Sequence, residues 1–166
     1  MSETAINESF INDALEKYSS MVIKIAFQNL KNMDDAEEIA QEVFIKLVKK
    51  YKYNDEEHLK AWLIRVTVNM CKDRRMLFEN MKTEPLNDEY PCFTEDENSI
   101  IEELWKLPAK YRNTLYLYYY EGYSVPEISG ILKKNEHTVS SWLTRARKNL
   151  KIILLEEGGY DHEQQQ

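Results

Sequence analysis

The chain has 166 residues, 43% of them apolar and 31% charged, with a formal charge of −7, four glycines and two cysteines. That composition suits one folded domain or two small ones and excludes a disordered chain, and so few glycines argue against a nucleotide-binding loop. No apolar run is long enough to span a membrane, Cys71 and Cys92 lie far apart, and His58, His137 and His162 are scattered, so no membrane insertion, zinc site or cofactor is expected.

The opening MSETAINESF has no basic, apolar leader, and the expectation is a cytoplasmic protein. From Glu8 to Asn29, the positions Phe10, Ala14, Tyr18, Met21, Val22 and Ile25 recur at helical spacing and predict one amphipathic helix ending near Asn32. A second helix follows, in which Ala36, Ile39, Ala40, Val43, Phe44, Leu47 and Val48 form a broad core-facing stripe. Asp34 and Asp35 put carboxylates at its N-terminus and Lys49 and Lys50 close it, both matching the macrodipole. Its far face carries Glu38, Gln41, Glu42 and Lys49 with Ile45 among them. A single exposed Ile is ordinary, but an apolar knob in a polar rim is also the anatomy of a docking helix.

Tyr51 to Glu57 reads as a polar connection, and Leu59 to Met76 as a third helix with Leu59, Leu63, Val66 and Met70 inward. Arg65, Asn69 and Lys72 share one side, Trp62 borders it, and Arg74 and Arg75 add charge at the end. Indole, guanidinium and carboxamide groups on one face suit unstacked bases and their phosphates, although periodicity alone favours Trp62 and Asn69 as core and core-edge residues. Residues 77–103 change character: KTEPLNDEYPCFTEDEN holds two prolines and many carboxylates, and is read as a linker. The charge splits accordingly, −1 over residues 1–76, −8 over 77–103 and +2 over 104–166, so the acidity belongs to one segment and a nucleic-acid role stays open.

Residues 100–104 begin a C-terminal helical domain, and YLYYY at 116–120, though rich in strand formers, is read as helix because a lone strand would have no partner. Gly122 ends that pattern. Ser124 and Glu127 form a capping box that opens a short helix carrying Val125, Ile128, Ile131 and Leu132. Lys133-Lys134-Asn135 breaks it, and a longer helix starts with Asn135 as N-cap. There Val139, Leu143, Ala146 and Leu150 make one narrow apolar seam, the pattern of a helix-turn-helix. Opposite the seam lie His137, Ser141, Arg145 and Lys148, flanked by Thr138, Thr144 and Trp142, side chains able to meet base edges and phosphates. Arg147 sits nearer the seam, where it either clamps a phosphate or braces the fold. From 106 to 151 there are nine basic and three acidic residues. EEGGYDHEQQQ is expected to fray as a tail.

The fold expectation is all-α: a helical domain at 1–76, an acidic flexible linker at 77–103, a helix-turn-helix domain at 104–155 and a tail at 156–166. LPAKYRNTLYLYYYEGYSVPEIS followed by HTVSSWLTRARKNL resembles the promoter-binding C-terminal domain of bacterial RNA polymerase sigma factors of the extracytoplasmic-function (ECF) class in the sigma-70 family. DDAEEIAQEVFIKL is similar to the sigma segment that binds the clamp helices of the polymerase's largest subunit, and HLKAWLIRVTVNMCKDRR to the segment that recognises and melts the minus-ten element. The resemblance implies that Asp34, Asp35, Glu38, Gln41, Glu42 and Ile45 face polymerase. It likewise implies that Trp62, Arg65, Asn69, Lys72, Arg74 and Arg75 meet the opened strand, and that His137, Thr138, Ser141, Trp142, Arg145, Arg147 and Lys148 meet the minus-35 element. Ser140 and Trp142 depart from the family, which commonly carries basic residues there. The implied partners are core RNA polymerase, promoter DNA and a cognate anti-sigma factor. With no nucleophile–base pair in view, an enzyme is the weakest reading; the alternative is a helix-turn-helix regulator acting without being a polymerase subunit.

Overall fold

Lys31 takes a left-handed conformation at φ 59° and Asn32 an extended one, and between them they fold the first helix back on the second. The first helix, α1, runs Glu3–Leu30, and α2 runs Met33–Lys50. The Lys31 N–H donates to the Phe27 carbonyl at 2.8 Å, while Asn32 Oδ1 accepts from the Asp35 N–H at 3.0 Å, so the turn satisfies an orphan group at each helix end. The third helix, α3, runs Glu56–Leu77 and packs on both others. This computed structural model describes residues 3–52, 55–77 and 101–164, with side chains at 8–52, 55–77 and 101–156. The chain divides into two units, Met1–Phe93 and Thr94–Gln166. The linker expected at 77–103 falls, apart from its two ends, outside the described residues, as does Cys92.

In the first unit the core is built from Ala14, Val22, Ile25, Ala26 and Phe27 of α1 against Ala36, Ile39, Val43 and Leu47 of α2 and Leu59, Leu63 and Ile64 of α3. Val48, expected in the stripe, is 51% exposed. At 100° per residue it lies ~110° from the centre of the other six, past the edge of the buried arc. The face of α3 also differs from expectation. Val66 and Met70 are only half-buried, while Ile64, Thr67 and Cys71 are buried. Packing against two helices widens the covered arc and turns its centre toward Thr67. That threonine satisfies its own hydroxyl by donating to the Leu63 carbonyl at 2.6 Å. Burial pushes the Cys71 thiol up to about 12, which keeps it protonated and inert.

In the second unit a helical turn at 101–104 leads into Leu107-Pro108 and α4, Ala109–Leu115. Arg112 is buried and its Nη1 donates to the Leu107 carbonyl at 2.5 Å and the Trp105 carbonyl at 3.3 Å, tying that turn to α4. Tyr116–Tyr120 is helical as expected, but as a π-turn, closed by the Glu121 N–H on the Tyr116 carbonyl at 3.1 Å. The wider turn stacks Tyr116 on Tyr120 at 4.9 Å, and Tyr116 donates its hydroxyl to Glu121 at 2.9 Å. Gly122 follows at φ 78°, where any side chain would strain the backbone. Next come α5, Val125–Leu132, and α6, Glu136–Gln164. The tail expected from residue 156 is the last part of α6, for no proline interrupts it and two glycines weaken a helix without ending it.

Both parts of the Ser124 capping box form, with Glu127 accepting from the Ser124 N–H at 3.0 Å and Ser124 Oγ accepting in return at 3.3 Å. Ser124→Ala is expected to cost about 1 kcal/mol, read as faster hydrogen exchange in α5. The bond from the Ser124 backbone, then that from its side chain, holds the Glu127 carboxyl below its usual range. A depressed folded value stabilises at neutral pH and is lost as pH falls through the carboxylate range, so acid should loosen the same turn.

Candidate functional site

Three surfaces carry the candidate residues, one on α6, one on α3 and one on α2. On α6 the seam behaves as its spacing predicts, with Val139, Leu143 and Ala146 buried and Leu150 half-buried. The turn before it is set by Lys133 in the left-handed region at φ 54°, by Ser129 Oγ donating to the Lys134 carbonyl, and by Asn135 Oδ1 accepting from the Thr138 N–H at 2.7 Å. These bonds leave His137, Arg145 and Lys148 exposed on one side, with Thr144 beside them and Ser141 and Thr138 half-buried.

Two residues of that set are occupied within the fold. Trp142 packs against the cluster of Leu107, Tyr111, Leu115, Leu143 and Ala146, and the Lys110 ammonium lies 5.7 Å from its ring centroid. Arg147 donates from Nε to the Tyr119 hydroxyl at 2.5 Å and its guanidinium sits 5.1 Å from the Tyr118 ring, which raises its pKa above the ordinary value. Of the two roles open to Arg147, the structure shows the brace between α6 and the π-turn. Lys110 is a residue the sequence reading missed. Its partner is 32 positions away, and only the fold brings a cation to the flank where Trp142 stands.

On α3 one side holds Arg65, half-buried, with Asn69 and Lys72 exposed, at i, i+4 and i+7. Trp62 is half-buried and meets Tyr51 edge-on at 5.1 Å, and Tyr51 in turn contacts His58 Nδ1 at 3.0 Å through its hydroxyl. Arg74 and Arg75 are not brought to this side. On 100° per residue Arg74 stands ~140° from Asn69. Its side chain is only 16% exposed, among Asp35, Glu38 and Glu42 of α2. Arg75 donates to Asn29 Oδ1 at 2.6 Å and the Asn29 carbonyl at 3.4 Å, near the C-terminal end of α1, and burial lowers its pKa.

On α2 the six candidate residues share the side away from the core. Asp34, Gln41 and Ile45 are open to solvent, Ile45 at 51%, whereas Asp35 and Glu42 are half-buried beside Arg74 with Glu38 above them.

The family model for Sigma-70 region 2 matches residues 14–76 and that for Sigma-70 region 4 matches residues 97–150. The RNA polymerase sigma factor SigV of Bacillus subtilis (strain 168) is 30% identical over 142 residues, covering 81% of this chain and 84% of that one. The ECF RNA polymerase sigma factor SigW of the same organism is 26% identical over 160 residues, covering 84% and 86%. The sigma factor RpoE, solved in complex with the anti-sigma factor NepR from Bartonella quintana, superposes with a TM-score of 0.69 at 22% identity, covering 86% of this chain and 95% of that chain, a likeness of fold.

Proposed function

The chain belongs to the sigma-70 family of RNA polymerase sigma factors, in its ECF class, and from that membership we propose how its three surfaces divide the work. It is a sigma factor that directs promoter-specific initiation by core RNA polymerase. In our reading α2 docks on the clamp helices of the largest subunit through Asp34, Gln41, Ile45 and the carboxylates beside them. The α3 side with Arg65, Asn69 and Lys72, bordered by Trp62, takes the opened minus-ten strand, and α6 enters the minus-35 major groove through His137, Ser141, Arg145 and Lys148. Residues 1–76 and 104–155 are the working domains in this scheme. We assign the chain no catalysis of its own and place it in the cytoplasm with the polymerase. No described helix is long and apolar enough to cross a membrane. A cognate anti-sigma factor is a third partner, a reading supported by the RpoE–NepR complex.

The observation that carries the proposal is the order of two region matches, 14–76 before 97–150, in one chain. A helix-turn-helix regulator that is not a polymerase subunit has no use for the first of them. Gel filtration with core polymerase tests the point: co-elution of the full chain is expected, and a chain that elutes alone at low salt overturns the proposal.

Arg145 offers a finer test of the groove assignment. Its guanidinium is exposed on α6, and with Trp142 contributing an indole instead of a charge, we assign it to a phosphate. Arg145→Ala should then weaken binding alike across a promoter library and reduce the salt slope by about one unit. Relaxed preference at a single promoter position would instead make it a base contact.

A further inference from the structure

Arg74 belongs to the helix whose outer side we assign to promoter DNA, yet its guanidinium lies among the carboxylates of the helix we assign to polymerase. Nη1 and Nη2 reach Glu38 Oε2 and Oε1 at 3.4 Å each, a two-pronged contact. Nη2 also reaches Glu42 Oε1 at 3.3 Å, and Nη1 stands 3.9 Å from Asp35 Oδ1. The guanidinium is beneath and the acids are on top, with side chains 16% exposed for Arg74 against 41%, 59% and 42% for Asp35, Glu38 and Glu42.

We propose that Arg74 is a positioning residue for polymerase docking, setting the acidic row of α2 in the geometry a basic partner meets, and is not a contact to the promoter strand. The proposal rests on the reading of α2 as the docking face. Residues 35, 38 and 42 fall at i, i+3 and i+7, and Ile45 continues the row. Three carboxylates at that spacing repel one another and without a counter-ion would splay. A single forked cation gathers them, lowers the rotamer freedom that docking would otherwise have to remove, and still leaves two net negative charges facing out. A phosphate approaching Arg74 would meet those carboxylates first, which makes the site a poor one for a DNA backbone. The fork matters as much as the charge, because an ammonium cannot hold both oxygens of Glu38 and reach Glu42 in one plane.

The test compares Arg74→Ala and Arg74→Lys in the full chain by two readouts, affinity for core polymerase and promoter opening at saturating chain. Arg74→Ala should raise Kd roughly three- to tenfold, as when a charge shaping an interface is truncated. Opening at saturation should stay at the wild-type level, and Arg74→Lys should recover part of the affinity. Wild-type affinity in a folded Arg74→Ala overturns the proposal, as does an opening defect that persists at saturation. If Arg74→Ala does not fold, Arg74→Lys decides alone: weaker docking with normal opening supports the assignment and wild-type affinity overturns it. Ile45→Asp, measured alongside, separates the two layers of the argument. Normal binding by that variant removes the docking face itself, whereas lost binding there with unchanged affinity in both Arg74 variants removes only the role of Arg74.

Discussion

Ile45→Asp should abolish assembly with core polymerase and leave the first unit folded. The position lies opposite the buried arc of α2 and is 51% exposed, so a carboxylate there stays in water and costs the fold little. In the complex the same carboxylate would have to be desolvated in the apolar centre of a docking face, next to a row that is already negative. An apolar anchor lost in this way weakens binding by about 2–4 kcal/mol, on the order of thirtyfold to a thousandfold in Kd. Circular dichroism and a binding titration together check it. An unfolded variant would make Ile45 a core residue, and a folded variant with unchanged affinity would remove α2 as the docking face.

Asn69→Ala should cut transcription from duplex promoters while assembly with core polymerase stays intact. Asn69 is exposed between Arg65 and Lys72, and its carboxamide can both donate to and accept from the edge of an unpaired base. A lost edge contact of that kind is worth about 1–3 kcal/mol, so roughly fivefold to a hundredfold in open-complex formation. A template with a pre-melted bubble should be impaired to the same extent, because reading the base is the step affected. Full activity on the bubble would move the role of Asn69 to strand opening, and full activity on both templates would make it a helix-edge residue.

Helix positions and the capped helix-turn-helix were legible from spacing, because a 3.6-residue period and a Ser-x-x-Glu box are local signals. The same spacing placed Ile45, Asn69 and Arg145 outward, where the structure has them exposed. Elsewhere local signals ran out. Arg74 and Arg75 read as two charges at the end of a helix, and only the packing of α3 along α1 and antiparallel to α2 shows Asn29 and three carboxylates waiting for them. Arg147 was open between two roles, and Trp142 was read as facing the groove, for a related reason. Their partners, Tyr118 and Tyr119 on a π-turn and Lys110 at the start of α4, are set by tertiary contacts that periodicity does not encode. Val48 failed differently, since seven positions cannot all share one face of a helix whose arc is closed by two neighbours.

If this chain gives core polymerase its choice of promoter, that choice is read in transcript 5′ ends. Core polymerase free of other sigma factors, supplied with the purified chain and genomic DNA, should produce a small set of defined starts. Two short sequence elements should lie upstream of them at constant spacing, and both starts and elements should vanish with Ile45→Asp. Starts scattered as they are for core polymerase alone would show that the chain does not select promoters, and defined starts that survive that substitution would show that it does not dock through α2.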